Sequence, residues 1–146
     1  MKILFDTSVL VAAIVELHPM HSRALPWLQQ VKSEEATDNF FVASHTLAEL
    51  YAVLTTLPLK PKISPLTARR LIHEDIEISA RIVSLSSSDY RDTVKQMSEL
   101  GLTGGIIYDA LIAKAAKKSK VDRLLTFNLD DFKRVWPDGE SFIHVP

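Results

Sequence analysis

The chain of 146 residues contains no cysteine and only four glycines. The lack of cysteine excludes a disulfide framework, a thiol nucleophile and a thiolate metal site, and it is typical of a protein of the reducing cytoplasm. With a hydrophobic fraction of 47%, the composition excludes a fibrous or disordered chain. No apolar run approaches the roughly 18 residues of a membrane span, and no basic leader precedes a cleavage site. We therefore expect a globular cytoplasmic protein with no membrane partner.

The chain also has no excess of basic residues. Seventeen lysines and arginines stand against eighteen acidic residues, which gives a formal net charge of −1. This balance argues against broad electrostatic binding to nucleic acid. A nucleic-acid partner would need a local basic patch, or metal ions that neutralise its phosphates.

Short apolar runs alternate with longer segments whose apolar residues recur at helical spacing, so the runs predict strands and the segments predict helices. The predicted strands are Ile3–Phe5, Thr37–Ser44, Arg81–Leu85, Arg123–Asn128 and Phe142–Val145. The predicted helices are Val9–Leu17, a segment that starts near Leu25 or is kinked at Pro26, Thr46–Leu57, a helix opened by Ser64 and Pro65, a helix capped by Ser86–Asp89 that runs to Leu100, Ile106–Lys118, and a short turn at Phe132–Trp136.

This alternation is typical of a parallel sheet with helices on both faces. We predict a single domain over residues 1–146, an α/β protein in which a mainly parallel sheet of about five strands forms the middle of a three-layer α/β/α sandwich. Right-handed crossovers bring the carboxyl ends of all the strands to one edge of such a sheet, and ligands bind there.

Five polar side chains are predicted to lie near that edge. Asp6 ends the first strand, and Asn128 and Asp131 follow the fourth. Glu49 and Asp109 lie in the first turns of predicted helices that open onto the same edge. We expect Asp6, Glu49, Asp109 and one of the two late residues to converge.

Each acidic side chain also has a purely structural explanation. Asp6 could cap the helix that follows it. Thr46 and Glu49 match a capping box, in which the glutamate bonds back to the first amide of the helix. Asp109 could complement a helix dipole, and Asp131 could be a turn residue.

Several carboxylates in one pocket repel one another unless a cation compensates their charge. Oxygen ligands suit a hard divalent ion such as Mg²⁺, which can activate water for attack at phosphorus. Zinc is disfavoured, because cysteine is absent and His18 and His21 are an isolated pair before a helix. No P-loop or Gly-x-Gly-x-x-Gly motif is present, so nucleotide-binding chemistry of those kinds has no support.

Four short motifs, spread in order along nearly the whole chain, resemble those of a known family. They are Ile3–Ser8, Thr46–Leu50, Tyr108–Ala113 and Leu124–Phe132, and the stretch from His18 to His21 is similar as well. In these motifs the chain resembles PIN domains, and most of all the VapC-type toxins of prokaryotic toxin–antitoxin pairs.

The resemblance implies an endoribonuclease that depends on Mg²⁺ or Mn²⁺. Asp6, Glu49 and Asp109 would be its acidic triad, with Asp6 and Asp109 as the most direct metal ligands. The fourth position of the family motif, often aspartate, falls on Asn128, which adds no negative charge, and Asp131 is the alternative. Nearby hydroxyl groups would orient the ligands or serve as caps and turn residues; they belong to Thr7, Ser8 and Thr126.

The resemblance also implies a homodimer, an RNA substrate and a small antitoxin protein that reaches into the acidic pocket. Candidate phosphate-binding residues are Lys60, Lys62, Arg69 and Arg70. Two other functions stay open. One is a non-catalytic binding module of the same fold whose acidic edge docks a basic protein partner, an idea that Asn128 favours. The other is a nuclease that processes structured RNA or DNA.

Overall fold

The computed structural model describes residues 1–33 and 38–146. Its strands are β1 Ile3–Phe5, β2 Phe40–Ala43, β3 Arg81–Val83, β4 Arg123–Leu125 and β5 Ile143–His144. Its α-helices are α1 Thr7–Ile14, α2 His21–Ser33, α3 Ser44–Thr56, α4 Pro65–Ile72, α5 Ser87–Leu100, α6 Ile106–Ser119 and α7 Leu129–Val135. A π-helical turn, His73–Glu77, follows α4, and a 3-10 helix, Pro137–Phe142, leads into β5. Among the helices of the described residues, none is long and apolar enough to cross a membrane.

β1 is the central strand of a five-stranded sheet with the order β3-β2-β1-β4-β5. Ile3 of β1 is paired with Phe40 on one side and with Arg123 on the other. The chain first adds β2 and β3 on one side of β1, then crosses over to add β4 and β5 on the opposite side. The strand order therefore reverses at β1, and open α/β sheets have a ligand crevice at the carboxyl ends of the strands at such a point.

The side chains of β1 alternate between two hydrophobic cores. Ile3 and Phe5 belong to the core that α1 to α4 cover, whereas Leu4 belongs to the core that α5 to α7 cover. Because both faces are covered, β1 is apolar throughout. The predicted three-layer α/β/α sandwich is confirmed, and every strand pair of the described sheet is parallel.

Several predicted boundaries are wrong by a few residues, because periodicity does not show where pairing or helix geometry ends. α1 starts two residues earlier than predicted and ends at Ile14, since Val15 adopts an extended backbone (φ −88°, ψ 104°). α2 starts at His21 with Pro26 inside it. β2 starts at Phe40, and the predicted start at Thr37 lies outside the described residues.

The predicted helix starts also differ in accuracy. The Ser86 side chain accepts a hydrogen bond from the Asp89 amide, and the Asp89 carboxylate accepts one from the Ser86 amide, so this predicted cap is confirmed. The capping box of Thr46 and Glu49 is wrong. α3 already begins at Ser44, which places Thr46 inside the first turn and Glu49 in the second turn rather than the first.

Candidate active site at the carboxyl edge of the sheet

The carboxyl ends of β1 and β4 open into a pocket of about 380 Å³. Four of the five predicted site residues line it, namely Asp6, Glu49, Asp109 and Asn128. The other lining residues are Thr7, Ser8, Val11, His18, Met20, Val53 and Phe127. Residues that are far apart in sequence thus meet at the point where the strand order reverses.

Asp6 forms the floor of this pocket, and only 1% of its surface is exposed. Its Oδ2 atom accepts hydrogen bonds from Ser8 Oγ at 2.6 Å and from Thr126 Oγ1 at 2.8 Å. Asp6 occupies the N-cap position of α1, but its side chain makes no capping hydrogen bond. Burial raises the pKa of Asp6, and the hydrogen bonds from the two hydroxyl groups oppose that rise.

The same two hydroxyl groups tie the segment after β4 to the end of β1. The Phe127 amide donates a hydrogen bond to Ser8 Oγ at 3.1 Å, and the Asn128 amide donates one to Thr126 Oγ1 at 2.9 Å. The strand β4 therefore ends at Leu125, whereas the sequence predicted a strand that continues to Asn128. This bend is what brings Asn128 to the pocket wall.

Glu49 reaches the pocket from α3. Thr7 Oγ1 donates a hydrogen bond to Glu49 Oε1 at 3.2 Å and is also hydrogen-bonded to the Thr46 hydroxyl at 3.2 Å. Burial raises the pKa of Glu49 and the charge of Asp6 adds to the rise, whereas His45 and the Thr7 hydroxyl lower it. Thr46, predicted as a helix cap, instead helps to hold the Thr7 and Glu49 side chains together.

Asp109 reaches the pocket from the first turn of α6. Burial, followed by the negative charges of Asp6, Asp131 and Glu49, raises the pKa of Asp109 from 3.8 to about 7. Burial is the larger cause, and the neighbouring carboxylates add to it because they disfavour a further negative charge at Asp109.

The structure separates the two candidates for the fourth position. Asn128 lines the pocket. Asp131 does not line it; its side chain is 49% exposed and its Oδ1 lies 3.8 Å from Nη1 of Arg134. Asp131 acts on Asp109 only through its charge.

The donor set of this pocket fits a hard divalent cation. Carboxylate and amide oxygens are the ligands that Mg²⁺ and Mn²⁺ prefer, and a cation would offset the repulsion that raises the pKa of Asp109. Within the described residues, no three acidic or histidine side chains already stand in the arrangement of a metal site. Mg²⁺ does not require one, because it usually binds to one or two carboxylates and keeps several waters.

The two histidines at the start of α2, His18 before it and His21 as its first residue, do not form a ligand pair. His18 lines the pocket, and its Nδ1 accepts a hydrogen bond from the Met20 amide at 3.0 Å. The His21 ring instead donates from Nδ1 to the Ala12 carbonyl at 2.9 Å and so attaches α2 to α1.

Two stacked aromatic side chains near Glu49 are not among the residues that the sequence predicted for the site. The His45 ring is stacked on the Tyr108 ring, with ring centroids 4.9 Å apart, and His45 Nε2 lies 3.6 Å from Glu49 Oε1. The spacing of four residues between His45 and Glu49 was a usable signal, since residues four apart on a helix share a face.

The four basic residues predicted to bind phosphate do not line the pocket. Arg69 and Arg70 line a separate cavity beside α4, together with His73 and two glutamates. Lys60 and Lys62 are exposed in the segment between α3 and α4.

Comparisons with known proteins show the family of this chain. The family model described as PIN domain matches residues 3–136. Ribonuclease VapC27 from Mycobacterium tuberculosis (strain ATCC 25618 / H37Rv) is 33% identical over 117 residues, which cover 80% of this chain and 78% of that protein. Ribonuclease VapC40 from Mycobacterium tuberculosis (strain CDC 1551 / Oshkosh) is 33% identical over 124 residues, which cover 85% and 84%.

Among solved structures, the fold is similar to a chain in the crystal structure of VapBC2 from Rickettsia felis bound to a DNA fragment from their promoter. The TM-score is 0.66 with 20% sequence identity, and the match covers 100% of this chain and 99% of that chain. The matched family model spans the four motifs and all the residues that line the pocket. The chain belongs to the PIN domain family.

Proposed function

We propose that this protein is the endoribonuclease toxin of a toxin–antitoxin pair and that it hydrolyses single-stranded RNA with Mg²⁺ or Mn²⁺. The observation that carries the proposal is the convergence of Asp6, Glu49 and Asp109 on one pocket at the point where the strand order reverses. Two relatives that bear the name ribonuclease and share 33% of the aligned residues support the same activity.

The ion would be held by Asp6, Asp109 and Glu49, and the side-chain amide oxygen of Asn128 would be a further ligand. When bound, a divalent ion lowers the pKa of a water molecule and stabilises charge that develops at phosphorus. Asn128 contributes no charge, so the pocket supplies one negative charge fewer than four aspartates or glutamates would. We therefore favour a single tightly held ion.

The three carboxylates have different neighbours, and we infer a different role for each. Ser8 and Thr126 hold Asp6 Oδ2 in place and thereby orient the carboxylate. Glu49, held by Thr7, can accept a hydrogen bond from the attacking water and take up its proton at a carboxylate oxygen. Burial and the neighbouring carboxylates raise the pKa of Asp109 to about 7, so binding of a cation there would favour release of its proton.

The partners in this proposal are an RNA substrate, a small antitoxin protein and a second copy of the chain. The structural neighbour is VapBC2 bound to promoter DNA, and this supports an antitoxin partner here. The homodimer, the cytoplasmic location and the RNA target are predictions from the family resemblance and the composition.

The direct test is cleavage of a labelled single-stranded RNA with added Mg²⁺, with added Mn²⁺ and with EDTA. We expect cleavage only with a divalent ion. The variants Asp6→Asn and Asp109→Asn should lose about a hundredfold or more in rate, because a metal ligand is weakened in each. Equal cleavage in EDTA, or full activity of either variant, would contradict the mechanism.

The non-catalytic binding module is the rival that the same experiment addresses. A folded wild-type protein that neither cleaves RNA nor binds Mg²⁺ or Mn²⁺ at millimolar concentration in titration calorimetry would contradict the nuclease and favour this rival. In that case the Asp6→Asn and Asp109→Asn variants need not be compared, because a binding module has no RNA cleavage activity to lose.

A further inference from the structure

Tyr108 presents an exposed aromatic ring on α6, one residue before Asp109 and stacked on His45. It is the residue before Asp109 in the first turn of α6, and 48% of its surface is exposed. A single exposed ring is ordinary on a protein surface, but tyrosine combines an apolar ring with a polar end and is enriched where proteins bind partners. The aromatic residue that lines the pocket itself is Phe127, which follows β4, whereas Tyr108 lies on α6 outside that lining.

The position of the Tyr108 ring is set by stacking. It lies nearly parallel to the His45 ring, with an interplanar angle of 12° and a centroid distance of 4.9 Å. Within the described residues the Tyr108 hydroxyl group makes no hydrogen bond, so its polar end does not determine where the ring lies. One face of the ring is therefore covered by His45, and the exposed fraction leaves the rest open to a ligand.

The stack is anchored next to Glu49. His45 is on α3, and its Nε2 atom lies 3.6 Å from Oε1 of Glu49. That nitrogen is shielded from solvent and has no hydrogen-bond partner among the described residues. The two rings thus join α3 to α6 beside Glu49, which holds Tyr108 at the edge of the acidic pocket.

We propose that Tyr108, supported by His45, is a stacking platform for a nucleobase of the single-stranded RNA next to the phosphate that is cleaved. The inference rests on the proposed function and adds to it how the substrate is held. It assigns Tyr108 a role in positioning the substrate and none in the chemistry.

Charge explains why the platform would bind a base. Asp6, Glu49 and Asp109 repel the RNA backbone, and the chain has no net positive charge to oppose this repulsion. Stacking of a neutral base on an aromatic ring adds affinity that these carboxylates do not oppose. It is also tolerant of sequence, because every base has an aromatic face.

The first test compares steady-state cleavage of a fluorescein-labelled, unstructured 12-nucleotide RNA by four variants in Mg²⁺. For Tyr108→Leu we expect KM to rise at least about fivefold, with a smaller change in kcat, because stacking of one base is lost. Tyr108→Phe and Tyr108→Trp should keep KM within about twofold, since both retain a ring. Tyr51→Leu is the matched control, because Tyr51 is similarly exposed (43%) on α3 but lines a different cavity.

The second test does not depend on cleavage. In Tyr108→Trp, the added indole should be quenched when the same RNA is titrated in EDTA, after subtraction of the signal that Trp27 and Trp136 give in the wild-type protein. Thermal unfolding of each variant shows whether it is folded. If Tyr108→Leu does not fold, the quenching measurement decides.

The outcomes separate this inference from the function on which it rests. A wild-type protein that does not cleave the RNA overturns both. A wild-type protein that cleaves, together with an unchanged KM for Tyr108→Leu or an unquenched indole in Tyr108→Trp, overturns only the stacking platform. Equal losses in Tyr108→Phe and Tyr108→Leu would assign the effect to the hydroxyl group, and they also contradict the inference.

Discussion

The hydroxyl group of Thr126 donates a 2.8 Å hydrogen bond to Oδ2 of Asp6 and so joins the ends of β4 and β1 beneath the pocket. Both residues are buried, and they are separated by 120 positions in the chain. Thr126 also accepts a hydrogen bond from the Asn128 amide at 2.9 Å. One small side chain therefore orients Asp6 and shapes the bend that places Asn128 on the pocket wall.

Replacing Thr126 with valine should lower the free energy of unfolding by about 1.5–3 kcal/mol, because a buried carboxylate loses a charge-assisted hydrogen bond. The Thr126→Ser variant keeps the hydroxyl group and should lose less than half of that. Urea unfolding at pH 8 without metal measures the free energy of unfolding of both variants. Equal stability of Thr126→Val and the wild-type protein would show that the bond contributes nothing.

The contribution of Asp109 to the stability of the metal-free protein should decrease as the pH rises from about 4 to about 7. The folded state holds the Asp109 proton more tightly than the unfolded state does, because burial and three neighbouring carboxylates raise the pKa from 3.8 to about 7. Ionisation of Asp109 in this window therefore destabilises the folded state.

The Asp109→Asn variant tests this sign. It should be more stable than the wild-type protein at pH 8 by about 1–2 kcal/mol, after allowance for solvent screening of a partly exposed group. Near pH 4 the difference should disappear, since the wild-type carboxyl is then neutral as well. Urea unfolding in EDTA at both pH values is the measurement, and a difference independent of pH would contradict the prediction.

Asn128→Asp should bind Mg²⁺ about tenfold more tightly than the wild-type protein, because it adds a negatively charged oxygen ligand at the pocket wall. Asp131→Asn should change the affinity by no more than about threefold, since Asp131 is half exposed and acts only at a distance. Titration calorimetry compares the two. Loss of binding in Asp131→Asn with no gain in Asn128→Asp would identify Asp131 as the fourth ligand instead.

Gly139→Ala should destabilise the fold by about 1–3 kcal/mol through overpacking. A Cβ atom at position 139 would lie 2.1 Å from Cδ2 of Trp136, a buried residue whose ring is stacked on Phe142 with centroids 5.4 Å apart. Gly105→Ala is the matched control, because the nearest atom to its added Cβ is 3.9 Å away and its φ is −66°. Thermal unfolding should separate the two variants clearly; equal Tm values would contradict the clash.

Local patterns were sufficient for the class of fold and for most elements. Apolar runs and helical spacing depend on which residues must be buried, so the alternation of strands and helices followed from the sequence. Local patterns also predicted where Asp6 and Asp109 lie, because Asp6 follows a strand directly and Asp109 lies in the first turn of a helix. The caps at Ser64 and Ser86 were also found, because a cap involves residues only three apart.

Only the tertiary structure decided the rest. Whether β4 lies beside β1 depends on a crossover of many residues, and no local pattern encodes the side on which it returns. That pairing brings Thr126 to Asp6 and Asn128 to the pocket wall, while the turn of α7 directs Asp131 outward. The sequence by itself therefore determined the fold class and the identity of the acidic residues, whereas long-range packing determined which of them meet and which hydroxyl groups and rings hold them.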